Sequence, residues 1–546
     1  MQAATKIGKT KQATADSYMP LFALALLGLL AGGAIVALIG FALLGAVQDS
    51  TPFLADAILW RTIRFTLWQA FLSTFASVVL AIPVIFALHE SRHFPGRELL
   101  LRIFALPLVL PQIVAVLAIV SLYGNQGYVT RALSSVGIET PSIYGMTGIL
   151  VAHVFFNLPL VVRIVLGALQ SMPDEYERLA HQLSLGALAR FRLVLWPYMR
   201  PALFNAAALV FMLCVTSFTV VLTLGGGPRA TTLEVAIYQA LTFDFDIQRA
   251  VTLTICQLLL TGLAVLALAR AGGKLHAGLT LQTHRPMVSK STFVGAAMTF
   301  LVVGLAGLYV TAPFVAITLK GIVADLARLL AENQVQSAIL TSLVLGLAAA
   351  LLCICVALAL TEGAVSSAKN NSIIGEWIYA HAASLVLVVP PIVIAAGWFI
   401  MLRPIVHVYS AAPYIVIAVN AAMALPFAMR FVLPARQVVS QRHDRLCAQL
   451  GLEGWNKWRL VLLPAMAKPL SIAFAFALAL SLGDLGVIAL FGSENVQTLP
   501  YLILQRMGSY RTDDAAGLAF ILCCITLSLM LFADRSQQTV IAGGSH

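Results

Sequence analysis

Charge is what this 546-residue sequence has least of. Lys, Arg, Asp and Glu together make up 10% of it, against 60% hydrophobic residues, and the mean hydropathy is +0.92. Water-soluble domains carry about 25% charged residues. So small a supply cannot cover a water-facing surface, which excludes a soluble globular protein and makes lipid the main solvent. Cysteine is scarce as well. None of the seven has metal-site spacing, and Cys353-x-Cys355 lies inside an apolar run, where packing explains it better than redox chemistry. A G-x-x-x-x-G-K-[ST] phosphate loop is missing, and Gly225-Gly226-Gly227 is not one, because no Lys-Ser/Thr follows it. Nucleophile–base and metal constellations are missing too, which argues against a membrane enzyme. Ionisable groups inside apolar runs are few, chiefly His153 and Asp484. A carrier driven by an ion gradient needs such groups for coupling. The 34 basic residues outnumber the 23 acidic ones, but they bunch in short loops between apolar runs. That pattern marks membrane orientation and not a nucleic-acid partner.

What the chain has in abundance is long apolar runs. A membrane helix needs about 20 mostly apolar residues. Twelve segments qualify: 20–47, 66–88, 103–123, 144–168, 203–224, 250–269, 292–314, 336–361, 376–402, 411–434, 470–491 and 515–533. Pro390 and Pro391 interrupt the ninth. The first uncharged run, 21–47, is longer than the roughly 7–15-residue core of a cleaved signal peptide, so it reads as a retained helix. With both termini in the cytoplasm, 24 of the 34 Lys and Arg fall on the cytoplasmic side and 10 outside, as the positive-inside rule requires. The expected fold is an all-α polytopic membrane protein of about 12 helices in two six-helix repeats. An even number of spans makes the repeats parallel, related by an axis along the membrane normal. The first repeat covers 1–270 and the second 291–546, with 271–290 as a polar, basic linker.

The two halves share a sequence. Residues 178–197 read RLAHQLSLGALARFRLVLWP and residues 445–464 read RLCAQLGLEGWNKWRLVLLP, aligned without a gap at an offset of 267. Arg178, Gln182, Leu183, Arg192 and Pro197 recur as Arg445, Gln449, Leu450, Arg459 and Pro464. The same offset matches Pro159 with Pro426 and Arg163 with Arg430. A polar segment kept twice in a greasy chain points to a surface used twice, by two copies of a partner. Its apolar residues recur at roughly helical spacing, which predicts a helix, a break and a short second helix. Gly451 supplies the break in the second copy. The first copy has Ser184 there, with Gly186 two residues later. The bland alternative, an amphipathic loop that merely caps the bundle, does not explain why this segment persists while the adjoining helices have drifted.

This segment resembles the cytoplasmic loop of ABC-importer permeases, in which an EAA triplet is followed by Gly and, further on, Pro. The EAA triplet is degraded in both copies. The stretches YGMTGILVAHVFFNLPL (144–160), TLGGGPRATTLEVAIYQAL (223–241), SLGDLGVIALFG (481–492) and TLPYLILQRMGSYRTDDAA (498–516) resemble bacterial thiamine/thiamine pyrophosphate importer permeases over nearly the whole chain. Fused ferric-iron permeases share the layout. The resemblance implies a bacterial inner-membrane protein that translocates thiamine or its phosphates by alternating access. It implies two copies of a cytoplasmic ATPase, which hold ATP and magnesium, and a periplasmic thiamine-binding protein. The chain itself needs no cofactor. The ATPase-docking loops are 173–200 and 440–468, carried by Arg178, Gln182, Leu183, Ser184, Gly186, Arg192 and Pro197 and by Arg445, Gln449, Leu450, Gly451, Arg459 and Pro464.

Three residues are candidates for the substrate pathway. His153 and Asn420 occupy equivalent positions, six residues before Pro159 and Pro426. They could face a central pathway or bond between helices. Asp484 sits in a glycine-flanked break of an apolar run. It could face a cationic substrate or pair with a basic residue in the bundle. Phe155, Phe156 and Phe218 offer ring faces to a cation or simply pack.

Overall fold

The computed structural model describes residues 2–48, 57–90, 96–227, 229–270, 293–386, 388–492 and 496–542. The expected linker, 271–290, lies outside the described residues. The first half runs α1 (Gln2–Gln48), α2 (Ala57–Glu90), α3 (Arg97–Ile103), α4 (Leu106–Val109), α5 (Gln112–Tyr123), α6 (Tyr128–Ser134), α7 (Met146–Gln170), α8 (Asp174–Gln182), α9 (Ala187–Arg190), α10 (Trp196–Val215), α11 (Phe218–Leu224), α12 (Leu233–Thr242) and α13 (Ile247–Arg270). The second half runs α14 (Phe293–Val323), α15 (Leu326–Ala331), α16 (Asn333–Lys369), α17 (Ile373–Val386), α18 (Pro391–Leu402), α19 (Val408–Gln449), α20 (Gly454–Lys457), α21 (Leu463–Leu482), α22 (Gly486–Phe491), α23 (Leu499–Gly508) and α24 (Thr512–Ala542).

The protein is an all-α polytopic membrane protein. Among the described residues, 11 helical stretches are long and apolar enough to cross a membrane. The remaining expected span, 376–402, is divided between α17 and the 12-residue α18. The cause is local. A residue before proline is pushed out of the helical region, and Pro390, which precedes Pro391, has φ −56° and ψ 146°. The first half repeats the device, which the expectation of one continuous span over 103–123 missed. Leu110, before Pro111, is extended at φ −77° and ψ 146°, so α4 ends there and α5 starts at Gln112. The fifth span of each half is broken too, between α10 and α11 at Thr216–Ser217 and between α21 and α22 at Gly483–Leu485.

The chain forms two compact units, and they are not the two sequence halves. One comprises Met1–Thr51, Ile237–Leu258 and Asp325–His546; the other comprises Pro52–Ala236 and Leu259–Ala324. The first helix of each half therefore packs in the unit built by the other half. In the first unit, α1 lies on α18. The Trp398 indole N–H donates to the Leu30 carbonyl at 2.8 Å, and Gly397 meets Ala34, which is fully buried. In the second unit, α14 joins α2, α5 and α7. The Tyr309 hydroxyl donates to the Val151 carbonyl at 2.8 Å, and the Phe155 ring packs against Phe156, Tyr309 and Phe314. Phe155 thus has its ring neighbours inside the protein.

Hydroxyls fasten the short helices after the breaks. Thr66 on α2 accepts from the Leu233 N–H at the start of α12 at 3.1 Å, and Ser342 on α16 accepts from Leu499 at the start of α23 at 2.7 Å. In the first unit an ion network adds to this. Arg506 on α23 reaches Glu332 at 2.6 Å and Asp514 at 3.4 Å, and Arg328 reaches Glu332 at 2.7 Å and also pairs with Asp514.

The seat of α1 is testable. A Cβ at Gly397 would lie 2.6 Å from the Ala34 carbonyl oxygen and 2.7 Å from its Cβ. Overpacking of this kind costs about 1–3 kcal/mol. Gly397→Leu should lower the thermal midpoint of the detergent-purified protein. Gly28→Ala on α1, with nothing within 4 Å of the added carbon, should leave it unchanged.

Candidate functional site

The two related segments take up the same backbone. In the first, the turn after α8 contains Ser184, which is left-handed at φ 49°; in the second, the turn after α19 contains Gly451, at φ 65°. Each bend is closed by the same long hydrogen bond, from Leu185 N–H to the Ala180 carbonyl at 3.0 Å and from Leu452 N–H to the Cys447 carbonyl at 2.9 Å. This is the usual left-handed termination of a helix, where glycine is the common occupant. Ser184 fills the role with a side chain present, and Gly186 lies beyond the bend. A short helix follows, α9 or α20, and then a widened π-helical turn at Phe191–Leu195 and at Trp458–Leu462. Those two turns are again 267 residues apart. Such turns are rare and concentrate at functional sites.

The segments differ where they leave the bundle. The turn at residues 171–173 separates α7 from α8. The counterpart of Pro173 is Ser440, and α19 runs unbroken for 42 residues through span and docking segment.

Surface placement follows the repeat. Leu179 and Leu446, Leu183 and Leu450, Leu188 and Trp455, and Leu193 and Leu460 are equivalent pairs, and all eight side chains are more than half exposed. Trp455 stacks on Trp458 with ring centroids 4.9 Å apart. Around them Arg178, Gln182, Ser184, Gly186, Arg192 and Pro197 are exposed, as are Arg445, Gln449, Gly451, Arg459 and Pro464. The inner face is Ala180 with Leu195 in one copy and Cys447 with Leu462 in the other, all buried. Each copy is thus a bent helix pair with an apolar outer face rimmed by arginines. An exposed apolar patch with a polar rim is the form of a protein-docking site.

The sequence reading missed the groups beneath that face. Glu177 and Asp444 are equivalent acids, and Arg190 and Lys457 are equivalent bases; Glu177 is hydrogen-bonded to His89, and the other three are in ion pairs. The offset of 267, applied to charged residues as it was to leucines, would have found them.

The pathway candidates lie elsewhere. His153 is buried, with Nδ1 2.9 Å from the Ser73 hydroxyl on α2 and Nε2 2.9 Å from the Ser217 hydroxyl at the α10–α11 break. Beside it the Gln69 amide donates to the Cys214 carbonyl at 2.8 Å. Bonding between helices therefore accounts for both ring nitrogens of His153. In the other unit the Asn420 amide donates to the Ser481 hydroxyl at 3.0 Å. Asp484 occupies the position equivalent to Ser217. Its carboxylate accepts from the N–H groups of Gly486 at 3.2 Å and Val487 at 3.4 Å, capping α22. The break gives those donors no carbonyl partner, and the carboxylate replaces it. His153, Asn420 and Asp484 thus lie near related helix junctions, His153 in the second unit and the other two in the first.

A duplicated set of membrane helices carrying two exposed repeated segments is the build of a transport permease. The chain belongs to the family of binding-protein-dependent transport system inner membrane components, whose pattern matches twice, at residues 80–272 and 363–542. It is 52% identical to a thiamine transport system permease protein of Brucella suis over 95% of this chain and 94% of that protein. The corresponding protein of Escherichia coli is 40% identical over 88% and 89% of the two chains, and that of Haemophilus influenzae is 33% identical over 91% and 93%.

The bends can be probed directly. A left-handed residue with a Cβ costs roughly 1–2 kcal/mol. Gly451→Val should therefore speed hydrogen exchange at the Leu452 amide by about 5–30-fold. Ser184→Gly should not speed exchange at Leu185.

Proposed function

We propose that this chain is the membrane permease of an ABC importer that carries thiamine and its phosphates across the bacterial inner membrane. The observation that carries the reading is the 52% identity, over 95% of the chain, to a thiamine transport system permease. It favours thiamine over ferric iron. Membership of the binding-protein-dependent family implies a substrate-binding protein and an ATPase partner.

In this reading one chain serves two ATPase copies, because it carries two docking segments. The ATPases hold ATP and magnesium, and a periplasmic protein delivers thiamine. Both termini face the cytoplasm, as the 24-to-10 division of Lys and Arg supports. Residues 1–270 and 291–546 act as the two halves, joined through 271–290. Closure of the ATPases moves the docked segments, and the helix bundles alternate between outward- and inward-facing states. ATP drives the change only because the complex binds it unequally in the two states. Reconstitution with the ATPase and a thiamine-binding protein should give ATP-dependent uptake of labelled thiamine. Uptake of ferric iron instead, or no uptake of thiamine, would overturn the reading.

Leu183 and Leu450, 63% and 65% exposed, form the centre of the two docking faces. Truncating or charging a central apolar anchor commonly costs 2 kcal/mol or more of binding. Leu183→Asp combined with Leu450→Asp should weaken ATPase co-purification by about 30-fold or more. The membrane bundle should keep its thermal midpoint.

Asp484 is a pathway candidate because a carboxylate within an apolar bundle attracts a fixed cation such as thiazolium. Asp484→Asn keeps an oxygen to cap α22 but removes the charge. Thiamine transport per assembled complex should fall several-fold with assembly unchanged. Unchanged transport would remove Asp484 from the pathway.

A further inference from the structure

The docking segment of each half is joined by the chain to two helices only, the one before it and the one after it. These are α7 and α10 in the first half and α19 and α21 in the second. The structure adds a third connection, made by side chains, to the second span of the same half.

In the first half the last two residues of α2 do this. His89 Nε2 lies 2.7 Å from Glu177 Oε1 on α8, before the bend, and both side chains are almost fully buried. Glu90 Oε1 lies 2.5 Å from Arg190 Nη2 at the end of α9, after the bend. Adjacent residues of one helix end thus hold both legs of the bent pair.

The second half reaches the same result with other residues. Asp444, equivalent to Glu177, pairs with Lys369, the last residue of α16. It also takes Lys457, equivalent to Arg190, at 2.9 Å, so that the two legs are tied to each other across the Gly451 bend. Arg436, 2% exposed, lies 3.6 Å from Asp444 and binds Glu362 of α16 through Nε at 2.6 Å and Nη2 at 3.0 Å. Ser440 donates to Asp444 at 2.5 Å.

The acid and the base recur 267 residues apart, while their partners on the second span have changed type. What both halves keep is the connection itself. Each half places an acid before the bend and a base after it. Glu177 is buried and Arg190, Asp444 and Lys457 are only part exposed, unlike the leucines of the outer face. Groups that only solubilised the loop would have no cause to meet the same helix end twice.

We infer that these hydrogen bonds and ion pairs are transmission links. Through Glu177 with Arg190, and through Asp444 with Lys457, motion imposed on the docking segment is passed to the inner end of α2 or α16. It does not have to travel first through the chain-linked spans. The four residues position the second span and do not touch the ATPase, so they govern how much transport each ATP hydrolysed delivers. The inference rests on the ABC-importer reading above.

The test uses the full complex in proteoliposomes, with the ATPase, a thiamine-binding protein and labelled thiamine. Three quantities are read: ATPase co-purification, ATP hydrolysis rate and thiamine transported per ATP. Glu177→Gln with Asp444→Asn should leave co-purification and hydrolysis near the parent values and lower thiamine per ATP about tenfold or more. The second variant exchanges the charges, Glu90→Arg with Arg190→Glu, so that the link is kept with its polarity reversed. It should retain parental thiamine per ATP, whereas Arg190→Glu alone should lose it. Parental coupling in an assembled neutral variant overturns the inference. So does a charge-exchanged complex that assembles yet stays uncoupled, and so does a neutral variant whose only defect is lost assembly. Failure of the importer reading looks different, because the unmodified complex would then transport no thiamine.

Discussion

Inside a bilayer the backbone has no water to bond to, so every N–H and C=O must be satisfied within the protein. Unbroken helices meet this condition by themselves. This chain departs from them at matching places in both halves, and each departure needs a remedy. At Pro111 and Pro390 the break falls where proline has no N–H to leave unpaired. At the starts of α12 and α23 the free N–H groups go to Thr66 and Ser342. At the start of α22 the remedy is the Asp484 carboxylate. Thr66, Ser342 and Asp484 are therefore polar residues that serve places where helices stop. The same places are where a pathway can be lined, because only there is the polar backbone not already spent.

The docking segments answer to the opposite condition. They meet water, so a plain apolar face must be supported from behind if it is to stay presented. The support is a left-handed helix end, a widened turn and the buried side chains of Ala180, Leu195, Cys447 and Leu462. A buried ion pair adds little net stability, but losing one partner leaves an uncompensated charge. Such pairs therefore favour one relation between each segment and the end of α2 or α16. Leu183 and Leu450 lie on the exposed face, and Glu177 and Asp444 lie beneath it at the contact with the second span.

Much of this was legible in the sequence. Low charge and long apolar runs established lipid as the solvent and helices as the only element. The offset of 267 picked out the two repeated segments, the bend at Ser184 and Gly451, and the residues later found exposed on both. Prolines marked the broken ninth span. Pro111 would have marked the third in the same way, had the apolar run around it not masked the signal. The acid and base beneath the docking face were present at the same offset but carried no hydropathy signal.

What only the tertiary structure decided is which helix lies against which. In water an apolar stripe shows the side of a helix that packs; in lipid both the packed side and the lipid side are apolar, so the pattern is silent. Nothing in residues 19–42 announces that α1 packs on α18 of the other half, or that Trp398 bonds to Leu30. Likewise, His153 reads as a polar residue in a span, and only packing shows Ser73 and Ser217 at its two nitrogens. The sequence by itself determined the solvent, the secondary structure and the duplication, because composition and spacing act along the chain. Partner choice between distant helices was left to the fold, because close approach and single hydrogen bonds decide it, and neither leaves a periodic trace.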